Sequence, residues 1–211
     1  MFGIKKQTDK TVQNAAADPS RGTGTDNIFA ESLGELSGAR SVAFCGVMAA
    51  LAVVLNYAAS IEIGQYVRIG FSMLPNIIVD DFFGPAIGGI FGGALDIIKY
   101  LLKPTGPFFP GFTVSAILGG IIYGLFFYKK KITVVRVLAA NAVVKVCVNI
   151  LLNSVWLHIL YGKGFIALLP ARVLSNAIML PIDTAIYYFM LNSVNRGVLP
   201  RFRAERNRAA A

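Results

Sequence analysis

Charge is scarce in this chain and lopsided: 15% of its 211 residues are charged, with 20 Lys and Arg against 11 Asp and Glu. A soluble domain carries about 25%, so the deficit argues against an ordinary water-facing surface. Residue types that do chemistry are equally thin. The sequence has one histidine, His158, and two cysteines, Cys45 and Cys147, which lie inside apolar stretches with no C-x-x-C spacing. This argues against a disulfide framework, a zinc knuckle or a histidine metal centre, and leaves the cysteines as small packing residues and His158 as an interfacial one. Neither a Gly-x-Ser-x-Gly elbow nor a Walker A loop occurs. The chain is therefore not expected to be an enzyme or to hold a metal or cofactor, and ATP-driven work falls to other chains. It also lacks the interleaved aromatic and basic pattern of an RNA module, so a nucleic-acid partner is not expected.

What fills the sequence instead is apolar: 55% of residues are hydrophobic and the mean hydropathy is +0.63. These values predict an integral membrane protein in a lipid bilayer. At 1.5 Å rise per residue and about 30 Å of hydrocarbon, the chain holds about six spans. Apolar runs read against Gly and Pro breakers place helices at 41–60, 71–83, 86–103, 113–128, 133–157 and 168–195, with Glu62 to Arg68 as a short polar crossing. Gly84-Pro85 ends the second helix. The predicted fold class is an all-α integral membrane protein, a bundle of six transmembrane helices.

Residues 1–38 break from this pattern, with Lys5, Lys6, Lys10, the Ala15-Ala16-Ala17-Asp18-Pro19-Ser20 run and Gly22-Thr23-Gly24-Thr25. They read as a flexible tail containing a short surface helix from Asn27 to Leu36. Residues 39–196 form the membrane domain and 197–211 a basic tail. The first apolar stretch starts near Ser41 and is as long as a full span, so it is expected to stay as an anchor rather than be a cleaved leader.

Basic residues set the orientation. With both termini cytoplasmic, the inner segments hold Lys5, Lys6, Lys10, Arg21, Arg40, Lys129, Lys130, Lys131, Arg136, Arg196, Arg201, Arg203, Arg206 and Arg208, while Arg68, Lys103, Lys163 and Arg172 fall on or near the outer side. That is the positive-inside bias of a multi-pass protein of the cell membrane. The net charge of +9 then reflects topology and anionic headgroups.

Small residues recur at helical spacing: Gly88/Gly92, Gly89/Gly93 and Gly120/Gly124, read as internal packing, and Gly46/Ala50 on the first helix, where few large side chains leave room for a partner. Polar residues also form stripes. Asp96, Lys99 and Lys103 share a side of the third helix, Lys145, Asn149 and Asn153 repeat at i, i+4, i+8 on the fifth, and Arg172 and Asn176 at i, i+4 on the sixth. Asp96–Lys99 and Lys145–Asp183 are read equally well as structural pairs; Asn149, Asn153, Arg172 and Asn176 are read as ligand-facing, because no carboxylate in their helices balances Arg172 toward the outer half. The loop after the third helix, Lys103-Pro104-Thr105-Gly106-Pro107-Phe108-Phe109-Pro110-Gly111-Phe112, adds stiff aromatic walls. Cations, amides and flat apolar surfaces together suit an aromatic heterocycle joined to a carboxylate.

The segment Tyr66-Val67-Arg68-Ile69-Gly70-Phe71-Ser72, the helix through Gly84-Pro85 and Asp96, the run from Lys103 to Phe112-Thr113, and Ile122-Tyr123-Gly124 resemble the folate-type substrate-binding subunit of energy-coupling factor (ECF) vitamin transporters, over about Arg40 to Arg196. The resemblance implies a six-helix protein that captures a vitamin at the outer face with high affinity. It implies binding by Arg68, Lys103, Thr105, Gly106, Phe108, Phe109, Asn149, Asn153, Arg172 and Asn176, with Lys163 in a nearby loop. The asparagines would read the pterin edge, and Arg68, Lys103 or Arg172 would meet the glutamate carboxylates. Gly46 and Ala50 match the motif that in relatives docks a membrane scaffold (T) subunit carrying two ABC-type ATPases. Two other readings stay open at this stage: a carrier of another vitamin, such as pantothenate or a queuosine precursor, and a dimeric ion-coupled transporter with Asp96, Lys99 and Lys145 as relays.

Overall fold

Hydrocarbon offers backbone N–H and C=O groups no water to bond, so a spanning segment must satisfy them internally. The computed structural model does so with helices. It describes residues 24–36, 38–58, 60–63, 67–102, 104, 107–162 and 165–197. In chain order these are α1 (Gly24–Gly34), α2 (Ala39–Ala58), β1 (Ser60–Ile63), β2 (Val67–Gly70), α3 (Met73–Leu102), α4 (Pro110–Phe127), α5 (Val134–Val143), a π-helical stretch (Val144–Leu152), α6 (Asn153–Tyr161) and α7 (Phe165–Gly197). Among the described residues five helical segments are long and apolar enough to cross a membrane: Ala39–Ala58, Met73–Leu102, Pro110–Phe127, Val134–Leu160 and Arg172–Gly197. Large apolar side chains face outward on them, with Val135 71% and Phe189 75% exposed, as expected where the surroundings are lipid.

One expectation is corrected here. The polar crossing at Glu62 to Arg68 is part of an antiparallel hairpin in which Ile61 pairs with Ile69, Glu62 with Arg68 and Ile63 with Val67. Alternation of apolar and polar residues through Ser60-Ile61-Glu62-Ile63 is a strand's period of two, which a reading by long apolar runs passes over. Among the described residues the regular structure is thus helical apart from this hairpin.

α3 is two arms. Gly84 has φ +85° and ψ −172°, a conformation that interrupts the helix at the expected Gly84-Pro85 break. Across it the arms fold back on each other: Lys99 Nζ donates to Ser72 Oγ at 3.2 Å. A continuous helix would hold those two residues about 40 Å apart at 1.5 Å per residue. The first arm is therefore short because it is half of a hairpin whose tip is Gly84.

α1 covers that tip. Ser32, fully buried, donates its hydroxyl to Phe83 O and accepts from the backbone N–H groups of Ala86 (3.2 Å) and Ile87 (3.3 Å). The exposed donors at a helix start are here satisfied by a side chain more than 50 residues away. Tyr128 OH to Glu35 (3.0 Å) and an ion pair between Lys129 and Glu31 hold the same helix. The surface helix expected around Asn27 to Leu36 thus docks on the membrane domain.

The second arm of α3 packs on α4 through glycine. A Cβ at Gly92 would lie 2.8 Å from Ala116 O, and one at Gly124 2.5 Å from Pro85 Cα. Lipid tails are as apolar as leucine, so dispersion at such close approach is what associates the helices. Opposite them, Tyr123 OH donates to Asn141 Oδ1 (2.7 Å) and Asn141 Nδ2 to Thr184 (3.1 Å), tying α4, α5 and α7 by one buried chain.

Candidate functional site

Between the arms of α3, α4, the π-helical stretch and α7 lies a hollow of two chambers. The first, about 230 Å³, is walled by Asn76, Asp80, Asp96, Lys99, Phe112, Asn149 and Asn153 with apolar and glycine surface from α3 and α4. The second, about 350 Å³, is walled by Asn56, Ser72, Lys145, Asn149, Asn176, Asp183 and Tyr187. Met73, Tyr123, Val144 and Asn149 belong to both, so the chambers adjoin along these four side chains. Together their sizes fall in the roughly 300–1,000 Å³ range of sites for drug-sized ligands.

The asparagines expected from the stripes reach this hollow. Asn149 faces both chambers, Asn153 the first and Asn176 the second. The stretch that carries Lys145 and Asn149 is wound as a π-helix, a form often found at functional sites. Arg172 is half-buried beside them. Its Nη1 donates to Asn149 O (3.1 Å), Asn176 Nδ2 donates to Arg172 O (2.8 Å), and Asn149 Nδ2 reaches Asn176 Oδ1 at 3.4 Å. Three of the expected residues, Asn149, Arg172 and Asn176, are thereby gathered into one connected polar cluster, with Asn153 one turn from Asn149 in the wall of the first chamber.

Of the aromatic loop, Phe112 reaches the wall of the first chamber, and Phe109 and Trp156 pack behind it. Phe109 meets Phe112 edge-on at 6.0 Å between centroids and Trp156 at 5.7 Å. Trp156 Nε1 in turn donates to Ser115 Oγ at 3.0 Å, pinning α6 to α4. Gly111 is required here, since a Cβ would stand 2.6 Å from Trp156 Cδ2. Phe108 instead lies against Tyr100, 5.1 Å between centroids, and is 48% exposed. Lys103, Thr105, Gly106 and Lys163 lie outside the described residues, and of Arg68 only the backbone, in β2, is described.

The ionised pairs divide. Lys145 Nζ and Asp183 Oδ2 form an ion pair at 2.7 Å in the wall of the second chamber. Asp96 and Lys99 find separate partners: Thr113 Oγ1 donates to Asp96 at 2.8 Å, and Lys99 donates to Ser72. Among the described residues no group of His, Cys, Asp and Glu could hold a metal ion, and both cysteines are free thiols.

Two wall residues escaped the sequence reading. Asn76 and Asp80 stand at i, i+4 on the first arm of α3, the same spacing that marked Asn149 and Asn153. Their signal was present, but the arm was read only as a short span.

Gly46 and Ala50 on α2 are exposed, and a Cβ on Gly46 would meet no atom within 4 Å. The protein's own packing does not require a glycine there. Val47 (64% exposed) and Val54 (58%) flank the open face.

Known proteins resemble this chain over most of its length. The pattern of the family "ECF transporter, substrate-specific component" matches residues 40–191. The chain is 39% identical over 153 residues to the folate transporter FolT of Clostridium novyi (strain NT), covering 72% of this chain and 88% of that protein. It is 32% identical over 161 residues to FolT of Leuconostoc mesenteroides subsp. mesenteroides, covering 73% and 85%. Among solved structures, the crystal structure of FolT bound with folic acid superposes with a TM-score of 0.67 at 35% identity, covering 74% of this chain and 95% of that one.

Proposed function

We propose that this chain, which belongs to the ECF transporter substrate-specific component family, binds folate in the two-chambered hollow and delivers it inward as the capture subunit of an ATP-driven importer. The family is a transporter substrate-binding component, not an enzyme. The observation that carries the reading is the hollow that Asn149, Asn153, Asn176 and Phe112 line, with Arg172 bonded to Asn149 beside it, in a chain 35% identical to a FolT whose structure holds folic acid.

The chemistry is complementary at each end of the molecule. A pterin is flat and carries donors and acceptors on its edge, which amides and aromatic walls suit. The glutamate end is a dianion. Arg172, and with it Arg68, Lys103 and Lys99, supplies cations, and a guanidinium can take a carboxylate through two parallel hydrogen bonds.

Counting the arms of α3 separately yields six membrane helices. With α1 covering the Gly84 tip and basic residues concentrated on the same side, both termini are cytoplasmic and the Phe112 end of the hollow faces outward. The host bilayer is a bacterial cytoplasmic membrane. The open α2 face at Gly46 and Ala50 serves the scaffold subunit, which joins two ABC-type ATPases, because small residues let two backbones approach closely in lipid.

Isothermal titration of the purified protein with folic acid tests the reading. One-to-one binding, with pantothenate and a queuosine precursor inert at the same concentration, is expected. Failure to bind folate, or tighter binding of either competitor, overturns it.

A further inference from the structure

Five buried side-chain polar atoms among the described residues have no hydrogen-bond partner: Asn76 Oδ1, both carboxylate oxygens of Asp80, Asn153 Oδ1 and Ser154 Oγ. Four of them are acceptors, and their three residues all line the first chamber. Asp80 is 1% exposed. A buried carboxyl without a donor is costly, so native structures pair nearly all such groups.

The protein's own donors in the hollow are turned elsewhere. Tyr123 OH serves Asn141, Lys99 serves Ser72, and Lys145 serves Asp183. Asp81, the neighbour of Asp80, accepts from Asn195 at 3.0 Å. The room for the Asp80 carboxylate is itself built in, because a Cβ at Gly88 would overlap Asp80 Oδ1. Asp80 thus stands in the wall of the first chamber with two buried acceptor oxygens that no protein donor reaches, in a site otherwise supplied with cations and amides for an anion.

We infer that Asp80, with Asn76 and Asn153, forms the acceptor subsite that reads the N–H edge of the ligand's 2-amino-4-oxopyrimidine ring. This rests on the folate reading above and adds to it a specificity residue and a direction of insertion. The ring presents N3–H and an exocyclic N–H side by side, two parallel donors that match the two oxygens of one carboxylate as a guanidinium edge does. Asn76 and Asn153 accept from what remains. The pterin then enters first, toward the Gly84 tip. From Gly88 to Lys99 is about 16 Å of helix at 1.5 Å per residue, which sets the ligand's anionic end near Lys99 and the mouth.

The test is a two-by-two titration with folic acid and its 2-desamino analogue, on the wild type and on Asp80→Asn. The wild type should bind folic acid about 10- to 100-fold more tightly than the analogue, the range for hydrogen bonds to a charged group. Asp80→Asn should lose most of that preference while its thermal unfolding midpoint is unchanged or raised, since an uncompensated buried acid is removed. If the wild type binds both ligands equally, or if Asp80→Asn keeps the full preference, Asp80 does not read the ring. Should Asp80→Asn not fold, Asp80→Ser takes its place in the same titration, with the same loss of preference expected. A wild type that binds neither ligand sinks the folate reading itself, a different result from binding without discrimination.

Discussion

Ser32 caps a helix from which it is separated by more than 50 residues: its hydroxyl oxygen accepts the Ile87 N–H at 3.3 Å, and that of Ala86 at 3.2 Å, at the start of the second arm of α3. The same hydroxyl donates to Phe83 O, so one side chain closes both ends of the Gly84 turn. Replacing Ser32 by Ala leaves a buried carbonyl and two amides without partners. A loss of about 1–2 kcal/mol is expected, read as a lowered unfolding midpoint in detergent, with folate affinity little changed because Ser32 lines neither chamber.

Glycines that look alike in sequence should respond oppositely to substitution. A Cβ at Gly92 would lie 2.8 Å from a backbone oxygen of α4, and Gly92→Val is expected to abolish a monodisperse folded protein on size exclusion. A Cβ at Gly46 has open space. Gly46→Trp combined with Ala50→Trp should leave folding and folate binding intact and abolish uptake in proteoliposomes that contain the scaffold and ATPase subunits. Unimpaired uptake by the double variant would remove α2 from the docking surface.

Arg172→Ala should weaken folate binding by about 10- to 100-fold, the scale of a charge-assisted hydrogen bond, with the unfolding midpoint changed little. Arg172→Lys should recover only part, since an ammonium is a point charge without the planar fork. Full affinity in the alanine variant would take Arg172 out of the site.

Trp156 is the only tryptophan of the chain; it packs on Phe109 and donates to Ser115, a wall residue of the first chamber. Its fluorescence should therefore be quenched as folate fills the first chamber, saturating at the stoichiometry found by calorimetry. Trp156→Phe removes both the signal and the bond to Ser115; an affinity loss of about tenfold or less is expected, because one neutral hydrogen bond is worth about 1 kcal/mol.

Much of this protein is legible in residue order because the bilayer imposes a simple rule. Apolar runs of the required length mark the spans, Gly84-Pro85 marks the break in α3, and the polar spacing of Asn149, Asn153, Arg172 and Asn176 marks the inward faces. The hairpin at Ser60–Gly70 was missed because short strands carry no long-run signal. Asp80 was missed although it stands at i, i+4 from Asn76, because nothing in residue order shows that this face of a short arm meets a chamber rather than a packed neighbour. The Asp96–Lys99 spacing was compatible with a pair, yet the hairpin brought Ser72 to Lys99 and α4 brought Thr113 to Asp96.

Sequence alone determined that the chain lives in lipid, roughly where it crosses, and which residues are too polar to face hydrocarbon, since each follows from transfer energies that depend on one segment at a time. Tertiary structure decided which polar groups satisfy one another and which are left over. That depends on helices meeting far apart in the chain: Ser32 at the Gly84 turn, Lys145 at Asp183, and Asp80 with no donor, beside a hollow whose shape no single segment contains.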